Sequence, residues 1–333
     1  MPAAELRADF PMEILAYPLT PAVQTELIQL LRTAWTQTDY NWTEAMGGDY
    51  SESLVIATVL GRRGGTAVAT ATIHFARHRP EVAVLGNVLT HPDHRGQGLA
   101  GRTIARALQL AAEAGCRVCL LGTTMRPRNL YQDHGFAWHG GAVMRCALGA
   151  GTLETSYFAA GQSAAVRPAH WGDLPGLTLL LAQTLAGACP DFPRGLVSGR
   201  HANAERCLSN FPILWYETAA RDGVLAVLAE NETHRVFGFG SVTRAPGPAR
   251  RHTATLDFST HQDYTAHLPS LLTHLLDACR AGGVQRAFAY VADSDTSKHE
   301  CLRSSGFGET ARLPGAMYLG ETYRDAIVFT GML

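Results

Sequence analysis

Residues 87–108 read NVLTHPDHRGQGLAGRTIARAL. This stretch begins inside an apolar run, EVAVLGNVLT (81–90), crosses a loop with glycines at 96, 98 and 101, and opens into a helical pattern. In that pattern Ala100, Ile104, Ala107, Leu108 and Ala111 recur on one face. A strand that passes through a glycine-rich turn into a helix is an anion site in physical terms. Glycine lets the backbone approach a ligand closely, successive N–H groups point outward, and the helix start adds partial positive charge. A pyrophosphate fits such a loop, although turns and helix caps also collect glycine.

Upstream, LVIATVL (54–60), AVATATIHF (67–75) and EVAVLGNVLT read as a three-strand meander turned by GRRGG (61–65) and by Arg77–Pro80. Before it, Met12–Leu15 suggests a first strand. TPAVQTELIQLLRTAW (20–35) is an amphipathic helix with Val23, Leu27, Leu30 and Leu31 on one face. Downstream, RVCLLGT (117–123) is a short apolar strand. A helix joins it to EVAVLGNVLT, so the two strands are expected to be parallel neighbours. A polar helix, RPRNLYQDH (126–134), and two strands, GFAW and AVMRCAL, complete the unit.

Residues 149–164, GAGTLETSYFAAGQSA, are small and polar and suggest a linker. The same order then returns: a hairpin at 224–242, a strand ATLDFST (254–260), a leucine-striped helix (268–283), a strand RAFAYVA (286–292), and CLRSSGF (301–307) in the place of LYQDHGF (130–136). The chain reads as a tandem duplication.

The string 87–108, with LYQDHGF about 20 residues later, resembles the acetyl-CoA-binding core of the GNAT superfamily of N-acyltransferases. That family's Gln/Arg-x-x-Gly-x-Gly/Ala signature is met by Arg95, Gly98 and Ala100, and its tyrosine four residues before a Gly-Phe pair by Tyr131. The resemblance implies an α/β (α+β) fold of two tandem GNAT-like domains. Each would be a mixed, mostly antiparallel sheet flanked by helices, with a parallel, splayed central strand pair. Residues 1–148 would be the acyl-CoA-binding catalytic domain and 165–333 a degenerate copy.

Carried over residue by residue, the resemblance implies that the backbone of Val88, Leu89 and Thr90 pairs with pantetheine, with an N–H near Leu89 against the thioester carbonyl. The N–H groups of Arg95, Gly96, Gln97, Gly98, Leu99, Ala100 and Gly101 would hold the pyrophosphate. Tyr131 would protonate the departing thiolate. Where many members carry a carboxylate, three residues before Thr90, this chain has Asn87, which can order a water but takes no proton. His74, Glu44 and Asp49 are the remaining base candidates, and His74 leads because its unperturbed pKa suits proton relay. Trp42, Tyr50, Glu44 and Asp49, with Asp39, are expected to border the acceptor pocket. In the second copy Gln262–His267 replaces the glycine loop and Leu302 stands where Tyr131 stands, so that copy is read as inactive in transfer.

The expected activity is transfer of an acetyl or other acyl group from acyl-CoA, the co-substrate, directly to the amine of a small molecule. Two alternatives stay open. One draws the acyl group from a phosphopantetheinyl carrier protein in natural-product biosynthesis, received by Arg102, Arg106, Arg126 and Arg128. The other is a non-catalytic acyl-CoA sensor or scaffold, motivated by Asn87.

Composition narrows the classes further. The chain has 333 residues and one lysine, Lys298, against 27 arginines. Lysine-dependent phosphate-loop and Schiff-base chemistry therefore has a single candidate, in a context, SDTSKHE, that forms neither motif. Aligned on the Gly-Phe pairs, Lys298 is expected at the surface of the second copy. A net charge of −1 invites neither nucleic acid nor an anionic membrane. Seven scattered cysteines do not suggest a disulfide framework, and Cys116 and Cys119 lack a second pair to bind zinc, so no metal is expected. With no basic start followed by an apolar run in the first residues, a cytoplasmic protein is expected.

Overall fold

The computed structural model describes residues 10–35, 42–123, 128–183, 185, 187, 189–196, 210–319 and 322–333. The chain divides into two compact units, residues 1–138 with 144–151, and residues 139–143 with 152–333. Each is built on a mixed seven-stranded sheet flanked by helices.

The first unit runs β1 (Met12–Ala16), α1 (Pro21–Arg32), α2 (Trp42–Gly47), β2 (Leu54–Arg63), β3 (Thr66–Ala76), β4 (Val82–Thr90), α3 (Leu99–Glu113), β5 (Val118–Gly122), α4 (Arg128–Gln132), β6 (Phe136–Gly140) and β7 (Val143–Ala147). Its strand order is β1-β2-β3-β4-β5-β7-β6. The pattern that marks α3 in the sequence buries Leu99, Thr103, Ile104, Ala107, Leu108 and Ala111. Most of that face packs on alternate residues of the sheet, Ala57, Val59, Ala71, Ile73, Ala83 and Leu85. Burial of each large aliphatic side chain there stabilises the unit by roughly 1.5–3 kcal/mol. The opposite face carries Leu60, Ala67 and Leu89 against Leu27, Leu30 and Leu31 of α1 and Met46 of α2.

Two irregularities in β4 shape the site. Its parallel pairing with β5 covers only Val82–Val84 against Val118–Leu120, after which the strands part. Its register with β3 shifts between Thr70 and Thr72, opposite Leu89 and Gly86, so β4 carries an extra residue. Asn87 sits in that bulge at φ +49°. Asparagine is one of the few side-chain-bearing residues that enters the left-handed region readily.

The second unit runs α5 (Leu153–Tyr157), β8 (Ala164–Pro168), α6 (Leu174–Ala182), α7 (Asn210–Ala219), β9 (Val224–Glu230), β10 (Val236–Arg244), β11 (Thr253–Thr260), α8 (Leu268–Ala281), β12 (Arg286–Ala292), α9 (Thr296–Ser304), β13 (Gly308–Leu319) and β14 (Thr322–Met332). Read from β8, its strand order β8-β9-β10-β11-β12-β14-β13 repeats that of the first unit. The parallel pair β11–β12 is again short, Thr253–Thr255 against Arg286–Phe288, but β11 pairs with β10 without a bulge.

The stretch 149–164, read as a linker from its small residues, contains α5, and Leu153, Tyr157 and Phe158 are buried. The Tyr157 hydroxyl accepts the Val236 N–H at 2.9 Å. Composition averaged over the stretch conceals these three anchoring side chains. Among the described residues no helix is long and apolar enough to cross a membrane.

Candidate acyl-CoA site

The residues expected to hold a cofactor meet at the end of β4. His91 donates its N–H to the Val68 carbonyl at 2.8 Å, and Thr70 faces Leu89 in register. Alternation along an antiparallel ladder therefore turns the backbone of Leu89 and His91 toward β3 and that of Val88 and Thr90 away from it. Beyond Leu120 nothing in β5 pairs with this edge, so a strand-like ligand can add there. Of the amides near Leu89, the ladder commits that of Leu89 itself to β3 and leaves that of Val88 directed outward. The Thr90 carbonyl accepts from Arg95 Nε at 3.3 Å, which ties the loop back to the strand.

The loop has the form of an anion nest. Gly96 and Gly98 lie at φ +74° and +70°, and Gly98 caps α3 with no side-chain hydrogen bond. The first ladder bond of α3 runs from Arg102 N to Gly98 O at 3.3 Å, so the amides of Leu99, Ala100 and Gly101 precede the helical ladder. A Cβ on Gly96 or Gly98 would meet nothing within 4 Å. Packing therefore does not demand glycine at either position; the left-handed backbone does. At Gly101 a Cβ would lie 3.0 Å from His134 Nε2, which joins α3 to the turn after α4. The spacing of Gly96, Gly98 and Gly101 also spells the dinucleotide fingerprint G-x-G-x-x-G. Here, however, the preceding strand is paired antiparallel with β3, unlike the parallel sheet of dinucleotide folds.

Tyr131 lies in α4, mostly buried, with its ring edge-on to Phe136 at 6.0 Å. His74 is enclosed in the sheet, with Nδ1 3.2 Å from the Val84 carbonyl. Burial pushes its pKa down to about 4, so the reason for preferring it as a base is corrected: it is neutral and enclosed, not poised near pH 7.

This makes His74 a stability element. The folded pKa lies below the ordinary 6.5, so the unfolded chain takes up the proton first. Stability is therefore intact above about pH 6.5 and falls as the pH drops toward 4, by ~3 kcal/mol across that window. We expect urea unfolding of the first unit to show this loss and His74→Leu to flatten it; equal pH dependence in both proteins would contradict the assignment.

The expected acceptor residues come together only in part. Tyr50 is buried and donates its hydroxyl to Glu44 Oε2 at 2.5 Å, so it braces Glu44 more than it faces a ligand. Trp42 is partly buried beside α1, and Asp49 is exposed. Asp39 and Arg126 lie outside the described residues, as does the Arg128 side chain. Of the four arginines considered for a carrier protein, Arg102 lies over the Phe10 ring at 4.8 Å and Arg106 pairs with Glu113 at 3.3 Å. No group of three or more metal-ligating side chains occurs among the described residues.

Residues 25–136 match the Acetyltransferase (GNAT) family and constitute a GNAT domain. No curated protein matches the chain. Similar solved structures include the ribosomal-protein-alanine N-acetyltransferase of Brucella melitensis, at 24% identity over 50% of this chain and 99% of that one, with a TM-score of 0.40. A phosphinothricin acetyltransferase of Sinorhizobium meliloti, in complex with acetyl-CoA, is 14% identical over 51% of this chain and 88% of that one, with a TM-score of 0.42.

The second unit reproduces the turn but not the nest. His261 Nδ1 accepts the Asp263 N–H as His91 Nδ1 accepts that of Asp93, at 3.3 and 3.4 Å. After this shared cap a 3-10 helix, Gln262–His267, runs directly into α8. Leu302, at the position of Tyr131, is fully buried. Lys298, expected at the surface, is 2% exposed, with Nζ 2.9 Å from Asp257 Oδ1. The sequence signal that could have located it is its spacing in α9, which places it on the buried face with Cys301 and Leu302.

Proposed function

We propose that residues 1–148 transfer an acyl group, acetyl in the simplest case, from acyl-CoA directly to the amine of a small molecule. In this reading residues 149–164 join them to 165–333, a copy degenerate for transfer. The observation that carries the proposal is the pair of glycines, Gly96 and Gly98, held left-handed over open space at the start of α3 and beside an unpaired strand edge.

The backbone of Val88 and Thr90 would take the pantetheine arm, and the amides from Arg95 to Gly101 the pyrophosphate. The amine nitrogen attacks the thioester carbonyl, whose developing oxyanion is met by the outward Val88 N–H. The C–S bond then breaks, Tyr131 protonates the thiolate, and the amine's proton leaves through a water held by Asn87. Trp42 and Glu44, braced by Tyr50, border the acceptor, with Asp49 at the exposed rim. An acidic border suits a cationic or amphipathic amine.

The test is release of free thiol from acetyl-CoA across an amine panel, paired with CoA binding to Gly98→Val. A β-branched residue at φ +70° carries strain of about 1–3 kcal/mol and projects into the nest, so CoA affinity should fall tenfold or more. Unaltered affinity would overturn the loop assignment. A second reading, acyl-CoA binding without transfer, is favoured by Asn87 and by the enclosed His74. It predicts tight CoA binding with no thiol release from any amine.

A further inference from the structure

Asp257, Asp295 and Lys298 of the second unit meet just past the point where β11 and β12 part. Asp257 stands there, three residues before Thr260, and Thr260 precedes the capping His261. Asn87 stands three residues before Thr90, which precedes the capping His91. Counted back from the cap, the second unit thus carries a carboxylate where the first carries an amide, although the ladder sets Asp257 opposite Ser241 as it sets Gly86 opposite Thr72, because only β4 has the extra residue.

That carboxylate is occupied. Lys298 Nζ lies 2.9 Å from Asp257 Oδ1 and 3.5 Å from each of the Cys189 and Pro190 carbonyl oxygens. Three oxygens therefore meet the three N–H bonds of one ammonium. Asp295 Oδ2 is 4.0 Å away, and the Phe258 ring centroid lies 5.8 Å from the nitrogen. Asp257 is held in turn by the backbone N–H groups of Phe192 at 3.2 Å and Phe258 at 2.9 Å. Asp295 accepts the Lys298 N–H at 3.2 Å and so sets the first turn of α9. Neighbouring Asp191 is neutralised by Arg194 and takes the Ser241 hydroxyl at 3.0 Å, which leaves the Asp257 oxygen to the lysine.

We propose that the second unit contains a pocket selective for a primary alkylammonium group, and that its resident ligand is the side chain of Lys298. An external amine enters only where that side chain is removed, so in the intact chain this pocket does not serve as an acceptor site for transfer. The inference stands on the second unit alone and survives or fails independently of acyl transfer by the first.

The test uses the full chain with Lys298→Ala, which removes the propylammonium portion of the side chain. n-Propylammonium chloride should raise the Tm of this variant saturably, while sodium chloride at equal ionic strength and n-propanol should not. Neither wild type nor the double variant Asp257→Asn/Lys298→Ala should respond saturably. Stabilisation of the double variant to the same extent, or none of Lys298→Ala, overturns the proposal.

Should Lys298→Ala not fold, wild type still decides the question. With ¹⁵N-labelled lysine the chain gives one side-chain signal, expected as an ammonium with slowly exchanging protons at pH 8. A rapidly exchanging signal with the shift of a free lysine overturns the proposal.

Discussion

Replacing Tyr131 with Phe should lower kcat by about 10²-fold while leaving CoA affinity and thermal stability near those of the parent. The separation is possible because of where the ring sits. Tyr131 belongs to the buried cluster on the α3 face of the sheet and lies edge-on to Phe136, and phenylalanine preserves that packing. Only the hydroxyl is lost, and with it the proton that would leave with the thiolate. Steady-state thiol release gives kcat, and CoA titration gives affinity. An unchanged kcat would assign the residue to packing alone, the role Leu302 fills at the same place in the second unit. A loss confined to KM would instead indicate ground-state binding.

Replacing Lys298 with Met should destabilise the second unit by about 3–5 kcal/mol near neutral pH, the range for breaking a buried pair by removing one partner. Methionine nearly matches the lysine in volume, so most of the loss comes from Asp257, whose charge would lack its counterion. Even with Lys298 present, burial pushes the Asp257 pKa up to about 7. In the Met variant it should rise further, so the folded state favours the protonated acid. A group with a raised folded pKa contributes stability below its unfolded pKa and loses it as pH climbs through the folded value. Below about pH 7 Asp257 is protonated in the parent as well, so the deficit should stay flat from pH 5 to about pH 7 and grow above it. The double variant Asp257→Asn/Lys298→Met should be less damaged than the single one, as read by urea unfolding monitored on the second unit. Additive losses in the double variant would deny the coupling.

The first unit was legible in sequence to the extent that its signals are local. The apolar runs of β2 and β3 mark strands, the 3.6-residue stripe of α3 announces its buried face, and the glycine loop marks the junction between strand and helix. The splay of β4 from β5 and the bulge at Asn87 were not legible. Both depend on pairing between strands distant in the chain, and neither leaves a periodic trace. His74 was misjudged for a related reason: a histidine's pKa follows its burial, and β3 is covered on both faces. In the second unit the hairpin of β13 and β14 escaped notice because β13 is mostly exposed and broken by Pro314 and Gly315. Lys298 was misplaced because a lysine is ordinarily a surface residue. Its burial is licensed by Asp257, 41 positions away.

The burial of the only lysine also gives the protein a built-in sensor of its own unfolding. A lysine-specific endoprotease has one bond to cut, Lys298–His299, and in the native fold that bond lies inside α9 with both side chains enclosed. Cleavage requires the helix to open, so the rate at which two fragments accumulate follows the open population of that segment wherever reclosing is fast. Every other lysine-free stretch of the chain is silent in such a digest, which leaves a single-site clock for local opening in the second unit.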